Sequence, residues 1–329
     1  MSDPVRVGVI GVGSLGYHHA RLLRDLPGAA LAGVFDADPA RLAQVEAELG
    51  VRGFASLDEL LGSVDAAVVA VPTTAHAEVA LAALDAGVHL LIEKPIASTL
   101  EEADAIVARA EERGLKVATG HVERFNGALR SCERYLEEPR FIESHRLAAF
   151  GPRGTDVAVV LDLMIHDIDL VLGLMGRPAE SVDAVGVGVL TPSVDIANAR
   201  LVFEGGAVAN ITASRVSLER MRKIRIFQRS GYISLDLAQG TGEFLRMKPG
   251  ATLPEGDFTL LSLMSVVERI ELKGDGTEPL RAELEAWVAA LRGEGPLVVS
   301  GRDGRDALAV ALRILEKIED HAVTLAGTA

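Results

Sequence analysis

The first 120 residues alternate between short apolar runs and longer stretches in which apolar residues recur every three or four positions. The runs predict buried strands, and the stretches between them predict helices. Strands and helices that alternate in this way indicate a doubly wound parallel sheet with helices on both faces. The predicted strands are residues 5–10, 30–35, 64–71, 88–92 and 115–120.

Beyond residue 121 the pattern changes to longer β runs joined by short glycine-containing turns, which are typical of antiparallel hairpins. These runs are residues 141–150, 181–190, 195–203, 207–216, 223–228 and 232–237. A strongly apolar helix is predicted at about residues 157–175, and two more helices at residues 279–292 and 304–321. We therefore predict an α/β fold with two domains, residues 1–121 and 122–329. The second would be an α+β domain with a mostly antiparallel sheet.

The first predicted strand ends in Gly11-Val12-Gly13-Ser14-Leu15-Gly16, which has the spacing G-x-G-x-x-G and leads directly into a helix. Strand, glycine turn and helix in this order are the context of a dinucleotide-binding Rossmann turn. Gly11 permits the tight turn, Gly13 leaves room for a pyrophosphate, and Gly16 lets the helix pack closely on the strand. The alternative is an ordinary strand–helix turn.

An acidic residue favours the dinucleotide interpretation. The second predicted strand ends in Asp36, about twenty residues after Gly16, where the dinucleotide fingerprint has an acid. A carboxylate there can accept both hydroxyl groups of the adenosine ribose and would repel a 2′-phosphate. We therefore expect NAD rather than NADP. Arg41, on the following helix, is the nearest cation that could weaken this preference.

The composition excludes several classes of protein. The 329 residues carry a formal net charge of −14 and only 4% are aromatic, so we expect no nucleic-acid partner. Cys132 is the only cysteine, which excludes an internal disulfide and a thiolate metal cluster. The first strand begins almost at once, leaving no room for a signal peptide, and the apolar runs are too short to span a membrane. We expect a cytoplasmic protein.

Lys94 and the pair Asp162 and His166 are candidates for catalysis. Lys94 follows a buried strand at the sheet edge where open α/β sheets bind ligands, and Pro95 fixes the backbone after it. It could stabilise an alkoxide or exchange a proton with it, or be a solvated loop cation. Asp162 and His166 lie four residues apart on the apolar helix and would share one face. Such a pair marks an active site or a core hydrogen bond. No third ligand can be named nearby, so no metal site is expected.

Polar residues also cluster where the first predicted domain passes into the second. Arg124 and Asn126 could contact a substrate in a cleft there, with His121 beside them. The alternative is a network of hydrogen bonds at the junction. Three residues around the start of the helix after the third strand could lie near the cofactor: Pro72, Thr73 and His76.

Three motifs together resemble those of the Gfo/Idh/MocA family of oxidoreductases, which includes glucose–fructose oxidoreductase and inositol dehydrogenase. They are the glycine turn, Glu93-Lys94-Pro95 and Asp162-x-x-x-His166, and they occur in the expected order along essentially the whole chain. The resemblance implies an NAD-binding Rossmann domain, to whose cofactor site Glu93 and Lys94 would also belong. It implies a second domain with an open sheet that often makes oligomer contacts. By matching position, Lys94, Asp162 and His166 look like the catalytic set.

Residues 120–126 and 161–169 also resemble the branch that oxidises UDP-N-acetylglucosamine at C3 to a 3-keto sugar, as in the supply of amino sugars to lipid A. Gly127 departs from the proline expected there, which concerns the loop rather than the chemistry. The implied mechanism has His166 as general base, Asp162 orienting it and Lys94 stabilising the alkoxide. Whether His166 or Lys94 is the base stays open. Candidates for holding the UDP phosphates are Arg146, Arg153 and Arg215, because guanidinium groups suit phosphate oxygens.

Other functions remain open at this point. A dehydrogenase of free polyols such as inositol would share these motifs, and a non-catalytic NAD-sensing regulator would keep the fold but lose the catalytic set. A purely structural role is weaker still. The resemblance implies a homo-oligomer, a dimer or tetramer. The apolar alternation along residues 197–211 is compatible with one sheet face meeting a partner.

Overall fold

The computed structural model describes residues 3–151, 157–252 and 260–327. The chain forms two compact units. The first comprises Met1–Val122 and Glu278–Ala309, and the second comprises Glu123–Thr277 and Val310–Ala329. In the described ranges, no helix has both the length and the apolar character needed to cross a lipid bilayer.

Strands and helices alternate through residues 3–122, as the apolar pattern predicts. The strands are β1 (Val5–Ile10), β2 (Ala29–Phe35), β3 (Ala66–Val69), β4 (His89–Glu93) and β5 (Val117–Gly120). The helices are α1 (Ser14–Leu23), α2 (Pro39–Leu49), α3 (Leu57–Leu61), α4 (His76–Asp85) and α5 (Leu100–Arg113). Polar side chains cap the N-termini of several of these helices. Asp38 caps α2 by accepting the N–H of Ala40, and Thr99 and Glu102 form a capping box on α5.

The first sheet has the order β2-β1-β3-β4-β5, and all its strands are parallel. Every residue of β3 is buried, as expected for a central strand covered by helices on both faces. The carboxyl ends of parallel strands meet at one edge of the sheet, so the segments after β1, β3 and β4 share that edge. The prediction of a Rossmann-type parallel sheet is confirmed.

The second sheet is mostly antiparallel, also as predicted, and it is open. Its strands are β6 (Phe141–Leu147), β7 (Ala179–Val187), β8 (Ile196–Phe203), β9 (Val208–Ser214), β10 (Met221–Gln228), β11 (Gly231–Asp236), β12 (Thr241–Met247) and β13 (Val267–Lys273). They lie in the order β13-β12-β11-β10-β6-β9-β8-β7, with β6 and β9 parallel. The remaining helices are α6 (Gly127–Cys132), α7 (Ile165–Met175), α8 (Leu260–Val266), α9 (Pro279–Leu291) and α10 (Gly301–Gly327).

Strands β12 and β13 were not predicted from the apolar pattern. Both carry many charged residues, which are uncommon in strands. In the sheet these charges compensate one another. Arg246 lies directly opposite Glu268 and donates to its carboxylate at 2.8 Å, and Arg269 binds Glu243 diagonally across the pair at 2.6 Å.

The segment Glu278–Ala309 packs with the first unit, whereas the predicted division after residue 121 assigns it to the second domain. The reason is the apolar face of α9. Leu284, Trp287 and Val288 are buried in the same cluster as Val7 of β1 and Val34 of β2. The helix therefore completes the core around the first sheet.

The apolar alternation along residues 197–211 covers the interior of the second unit. Ala199, Leu201 and Ile211 are fully buried. On the opposite face, exposed polar side chains pair between β8 and β9, as Asn198 does with Thr212 at 2.9 Å. The apolar side chains of this alternation are therefore covered within the chain, and the expected contact of one sheet face with a partner stays a prediction.

Candidate active site

Two glycines shape the turn between β1 and α1. Gly11 has a φ of +83°, and a Cβ on it would lie 2.8 Å from the backbone of Ala70 and Val71. A Cβ on Gly16 would overlap the carbonyl oxygen of Gly11 and lie 2.9 Å from its carbonyl carbon. Both positions require a residue without a side chain. As a result, α1 begins close against the end of β1.

Gly13 is different, because a Cβ on it would meet no heavy atom within 4 Å. It is exposed together with Ser14 and Leu15 at the start of α1. The first N–H groups of a helix have no partner within the helix, and its dipole is positive at this end. The open space over Gly13 is therefore suited to the close approach of a pyrophosphate.

Asp36 lies beside this turn at the end of β2. Its Oδ2 accepts the N–H of Val12 at 2.7 Å, and its Oδ1 accepts the N–H of Asp38 at 2.9 Å. Arg41 donates to the carbonyl oxygens of Val12, at 2.7 Å, and Gly13, at 3.2 Å. Its guanidinium thus supports the turn. The open space over Gly13 and the fixed carboxylate of Asp36 fit a dinucleotide-binding turn, and the predicted contact of Asp36 with ribose hydroxyl groups stays a prediction.

The buried carboxylate of Glu93 fixes the backbone of the segment that carries Lys94. Nε2–H of His19 donates to Oε1 of Glu93 at 2.6 Å, and the backbone N–H of Lys94 donates to Oε2 at 3.3 Å. A Cβ on Gly120 would lie 2.8 Å from the same Oε2, so the glycine at the end of β5 leaves room for the carboxylate. Sequence reasoning did not find His19, because 74 positions separate it from Glu93 and no local motif includes it.

His76 connects two segments at the carboxyl edge of the first sheet. Its ring is buried, with Nδ1 at 2.9 Å from the carbonyl oxygen of Pro95 and Nε2 at 3.0 Å from that of Val71. Burial lowers the pKa of His76 and outweighs these carbonyl contacts. The contacts observed for His76 are structural, and its predicted contact with a cofactor stays a prediction. Pro72 is exposed and Thr73 half-buried at this edge.

Asp162 and His166 lie at the start of the apolar helix of the second unit. Asp162 belongs to a π-helical turn, Val160–Met164, in which the N–H of Ile165 bonds to the carbonyl of Val160. His166 lies in the first turn of α7, and both side chains are half-buried. Four residues are close to one turn in either kind of helix, so the two residues still lie on one side. Single π-helical turns are frequent at functional sites.

Arg124 makes a bidentate ion pair with Asp169 of α7. Nε donates to Oδ2 at 2.7 Å and Nη2 donates to Oδ1 at 2.8 Å. Nη2 also donates to the backbone carbonyl of Asp169 at 2.9 Å. The side chain of Asp169 is 1% exposed and that of Arg124 is 16% exposed. These contacts join Arg124 to the helix, and its predicted contact with a substrate stays a prediction.

Asn126 is buried among its own neighbours. Its Oδ1 accepts the N–H of Ala128 at 3.0 Å and so caps α6, while Nδ2 donates to the carbonyl oxygen of Leu237 at 2.9 Å and to Glu123 at 3.1 Å. His121 is also buried. The contacts of Asn126 favour the local hydrogen-bond network, and its predicted contact with a substrate stays a prediction.

Arg146 is occupied by buried carboxylates, contrary to the expectation that it holds a phosphate. Its Nη1 donates to Glu123 at 2.8 Å, and its Nε binds Asp167, whose Oδ1 also accepts the hydroxyl of Ser144 at 2.7 Å. Burial alone would lower the pKa of Arg146, but the two carboxylates outweigh burial and raise it. The guanidinium is fully engaged in the interior of the second unit.

Arg215 is likewise engaged inside the second unit. Its Nε donates to Asp195 at 2.8 Å and its Nη1 donates to the carbonyl oxygen of Val157 at 2.6 Å. Burial opposes ionisation of Asp195, but Arg215 and the N–H groups of residues 190 and 191 prevail and hold the pKa of Asp195 well below its usual range. Arg153 lies outside the described residues.

Comparison with known proteins identifies both parts of the chain. The family model for the NAD-binding Rossmann fold of an oxidoreductase family, GFO_IDH_MocA, matches residues 5–121. The model for a GFO/IDH/MocA C-terminal domain matches residues 127–234.

Similar proteins include UDP-N-acetylglucosamine 3-dehydrogenase of Acidithiobacillus ferrooxidans, which is 40% identical over 320 residues, covering 96% of this chain and 97% of that protein. A solved structure of that enzyme has a TM-score of 0.88 and covers 97% of this chain and 99% of its own. Myo-inositol 2-dehydrogenase of Thermotoga maritima is 27% identical over 335 residues, covering 96% of this chain and 97% of that protein.

Proposed function

The chain belongs to the GFO/IDH/MocA family of oxidoreductases, and we propose that it oxidises the C3 hydroxyl of UDP-N-acetylglucosamine to a 3-keto sugar. The observation that carries this proposal is the 40% identity to an enzyme with that name along nearly the whole of both chains. Inositol dehydrogenases of similar coverage are less similar, at 27%, 30% and 32% identity.

The first unit would hold the cofactor. NAD, if bound there, would supply the acceptor for the hydride that leaves the sugar carbon. The residues of the glycine turn, Gly11–Gly16, would hold the pyrophosphate over the exposed backbone of Gly13, and Asp36 would accept the ribose hydroxyls. The arrangement supports NAD over NADP because Asp36 would repel a 2′-phosphate while Arg41 is bonded to the turn.

The proton chemistry would fall to three side chains. His166 would take the proton of the sugar hydroxyl, since an imidazole is the side chain that most often acts as a general base in enzymes. Asp162, about one turn away on the same side of the helix, would orient the imidazole. Lys94 would stabilise the developing alkoxide by its positive charge. Glu93 is buried and accepts the backbone N–H of Lys94, which supports a fixed backbone position for Lys94.

The test is an absorbance assay for reduced nicotinamide with purified protein, NAD and UDP-N-acetylglucosamine. A transaminase and glutamate should be added, because oxidation to the 3-keto sugar is expected to be unfavourable on its own. Activity is expected with the UDP-sugar and NAD. Activity with myo-inositol instead of the UDP-sugar would assign the protein to polyol oxidation. Tight NAD binding without turnover of either substrate would favour a non-catalytic NAD-sensing regulator.

Variants then test the catalytic set. Lys94→Ala and His166→Ala are each expected to lower kcat by about 10²- to 10⁴-fold, the usual range for a lost proton-transfer group. Lys317→Ala and His321→Gln change exposed residues of the same types on α10 and should leave kcat unchanged. Turnover that survives both catalytic substitutions would overturn the mechanism.

Cytoplasmic location and homo-oligomeric assembly are part of the same proposal. A single buried cysteine suits a reducing compartment. Val185 and Val187 of the edge strand β7 are exposed, at 45% and 58%, and would gain from being covered by a second copy. Light scattering at micromolar concentration measures the mass, and a monomer would count against assembly.

A further inference from the structure

The helix that carries His166 has a second polar feature on the same side. Asp169 follows His166 by three residues and Gly173 follows it by seven, so all three lie within a narrow sector of α7. Arg124 approaches this sector from outside the helix and binds the carboxylate of Asp169 with both nitrogens of its fork. Its guanidinium therefore lies on the helix face that presents His166.

Gly173 makes this approach possible. A Cβ at position 173 would overlap Nη1 and Cζ of Arg124 and lie 2.6 Å from Nη2. The far end of an arginine can usually move away from such a clash. Here three hydrogen bonds hold it, two to the carboxylate and one to the backbone carbonyl of Asp169. The guanidinium is thus seated flat over the glycine.

A second ionic contact fixes the helix from another side. Asp167, the residue after His166, binds Arg146 and accepts the hydroxyl of Ser144, both on β6. Asp167 and Asp169 are two residues apart and so point to different sides of the helix. One contact ties α7 to the sheet, and the other ties it to the segment that follows β5. Together they oppose rotation of the helix about its axis.

We propose that Arg124 is a positioning residue for His166, acting through Asp169 and the space over Gly173 rather than by contact with the substrate. The proposal rests on the proposed function in that His166 is taken as the base. A small rotation of α7 would move the imidazole away from the sugar hydroxyl. Misplacement of a reacting group by about 1 Å can lower the rate about 10²-fold.

The sharpest perturbation is Gly173→Ala, because it displaces the guanidinium without removing a charge. We expect kcat for the UDP-sugar to fall about 10- to 100-fold with KM changed less than about 2-fold, since the loss lies in alignment. Arg124→Gln should likewise lower kcat with little change in KM. Arg130→Gln, which removes an exposed arginine whose ion pair is 3.8 Å long, is the matched control and should not change kcat.

A coupling test separates this role from general destabilisation. A lysine at position 124 has no planar fork to seat over the glycine. Adding Gly173→Ala to Arg124→Lys should therefore lower kcat by less than about 2-fold, although it lowers kcat strongly in the wild type. Equal losses in both backgrounds would show that the alanine acts elsewhere and would overturn the proposal. A rise in KM with kcat unchanged would show that Arg124 binds the substrate and would also overturn it.

A readout that needs no substrate keeps this proposal separate from the proposed function. The imidazole NMR signal of His166, assigned by its absence in His166→Gln, should move in Gly173→Ala and Arg124→Gln but not in Arg130→Gln. If the wild type fails to oxidise the UDP-sugar, the proposed function fails and this signal alone decides the positioning role. An unmoved signal in both variants would overturn it.

Discussion

Gly13 and Gly16 stand three residues apart in one turn, yet the structure predicts opposite consequences for their replacement by alanine. A Cβ on Gly13 enters open space, whereas a Cβ on Gly16 overlaps the carbonyl oxygen of Gly11. Gly16→Ala should therefore damage the folded protein itself. Gly13→Ala should leave the stability of the protein unchanged and weaken only the binding of a cofactor over the turn. The pair separates the structural use of glycine from its use in cofactor binding.

The contacts around Gly16 set the size of the first effect. Its Cβ would lie 2.9 Å from the carbonyl carbon of Gly11 and 3.3 Å from the Cβ of Ala70. The backbone of Gly11 has little freedom to retreat, because its N–H is bonded to the carbonyl oxygen of Phe35 at 2.8 Å. Overpacking of this kind costs about 1–3 kcal/mol. At about 2–4 °C per kcal/mol, the melting temperature should fall by about 2–12 °C.

Ligand linkage sets the size of the second effect. NAD at 100 times its Kd should stabilise the wild type by about 2.7 kcal/mol. If Gly13→Ala weakens NAD binding 100-fold, the same NAD concentration should stabilise that variant by only about 0.4 kcal/mol. Without NAD, its unfolding free energy should remain within about 1 kcal/mol of the wild type, the usual range for a glycine-to-alanine change that meets no clash.

Thermal melting with and without NAD measures both effects in one experiment, and titration calorimetry gives the Kd directly. Gly151→Ala is a suitable control, since a Cβ there also meets no heavy atom within 4 Å, but in the second unit. It should melt like the wild type and gain the same stabilisation from NAD. The reasoning would be refuted if Gly13→Ala bound NAD as tightly as the wild type, or if Gly16→Ala melted at the wild-type temperature.

Four further predictions follow from single contacts. Asp36→Asn should weaken NAD binding by about 1–3 kcal/mol and reduce the protein's preference for NAD over NADP, both measured by titration calorimetry. An unchanged preference would contradict the proposed contact of Asp36 with the ribose hydroxyls. Burial lowers the pKa of His89, so the urea unfolding free energy should fall as pH drops below about 6.5, where only the unfolded state takes up the proton; His89→Gln should reduce this fall. Asp195→Asn breaks a buried ion pair and should lower the unfolding free energy by about 3–5 kcal/mol; calorimetry showing no loss would contradict this. Burial raises the pKa of Cys132 to about 12, so a disulfide reagent should label no thiol in the native protein and one after unfolding.

The strand–turn–helix unit formed by β1 and α1 was predictable from sequence because its determinants are local. Gly11, Gly13 and Gly16 act within one strand–turn–helix unit, and Asp36 lies at the end of the next strand. Each of these residues is read from spacing alone. The bond from Val12 to Asp36 then follows from the adjacency of β1 and β2, which a parallel sheet of this kind supplies.

Contacts between distant segments could not be predicted in this way. Nothing near His19 in the sequence marks it as the partner of Glu93, because the contact exists only once α1 and β4 have packed. The same holds for Arg146 and Arg215. An arginine was expected to bind phosphate, but each has a carboxylate about twenty positions away that only the folded sheet brings beside it. The type of residue was informative, whereas its partner depended on tertiary structure.

The helix at residues 160–175 shows what its own sequence predicts and what it does not. Its apolar pattern predicts a buried helix, but not the π-helical turn that contains Asp162, because that turn depends on backbone bonds with no sequence signal. Asp167 and Asp169 bind arginines from other elements, and nothing local in the sequence identifies which arginines these are.

These buried ion pairs are poor candidates for stabilising the second unit. Removing two charges from water costs several kcal/mol, and apolar residues of similar volume often replace such pairs without loss of stability. Such a pair instead constrains the orientation of the groups it joins, because a guanidinium fork donates to a carboxylate in only a few orientations. Asp167 and Asp169 lie immediately beyond His166, and their partners come from β6 and from the segment after β5. The apolar face of α7 would allow the helix to turn within the core, whereas the two carboxylates fix which side of it carries the imidazole.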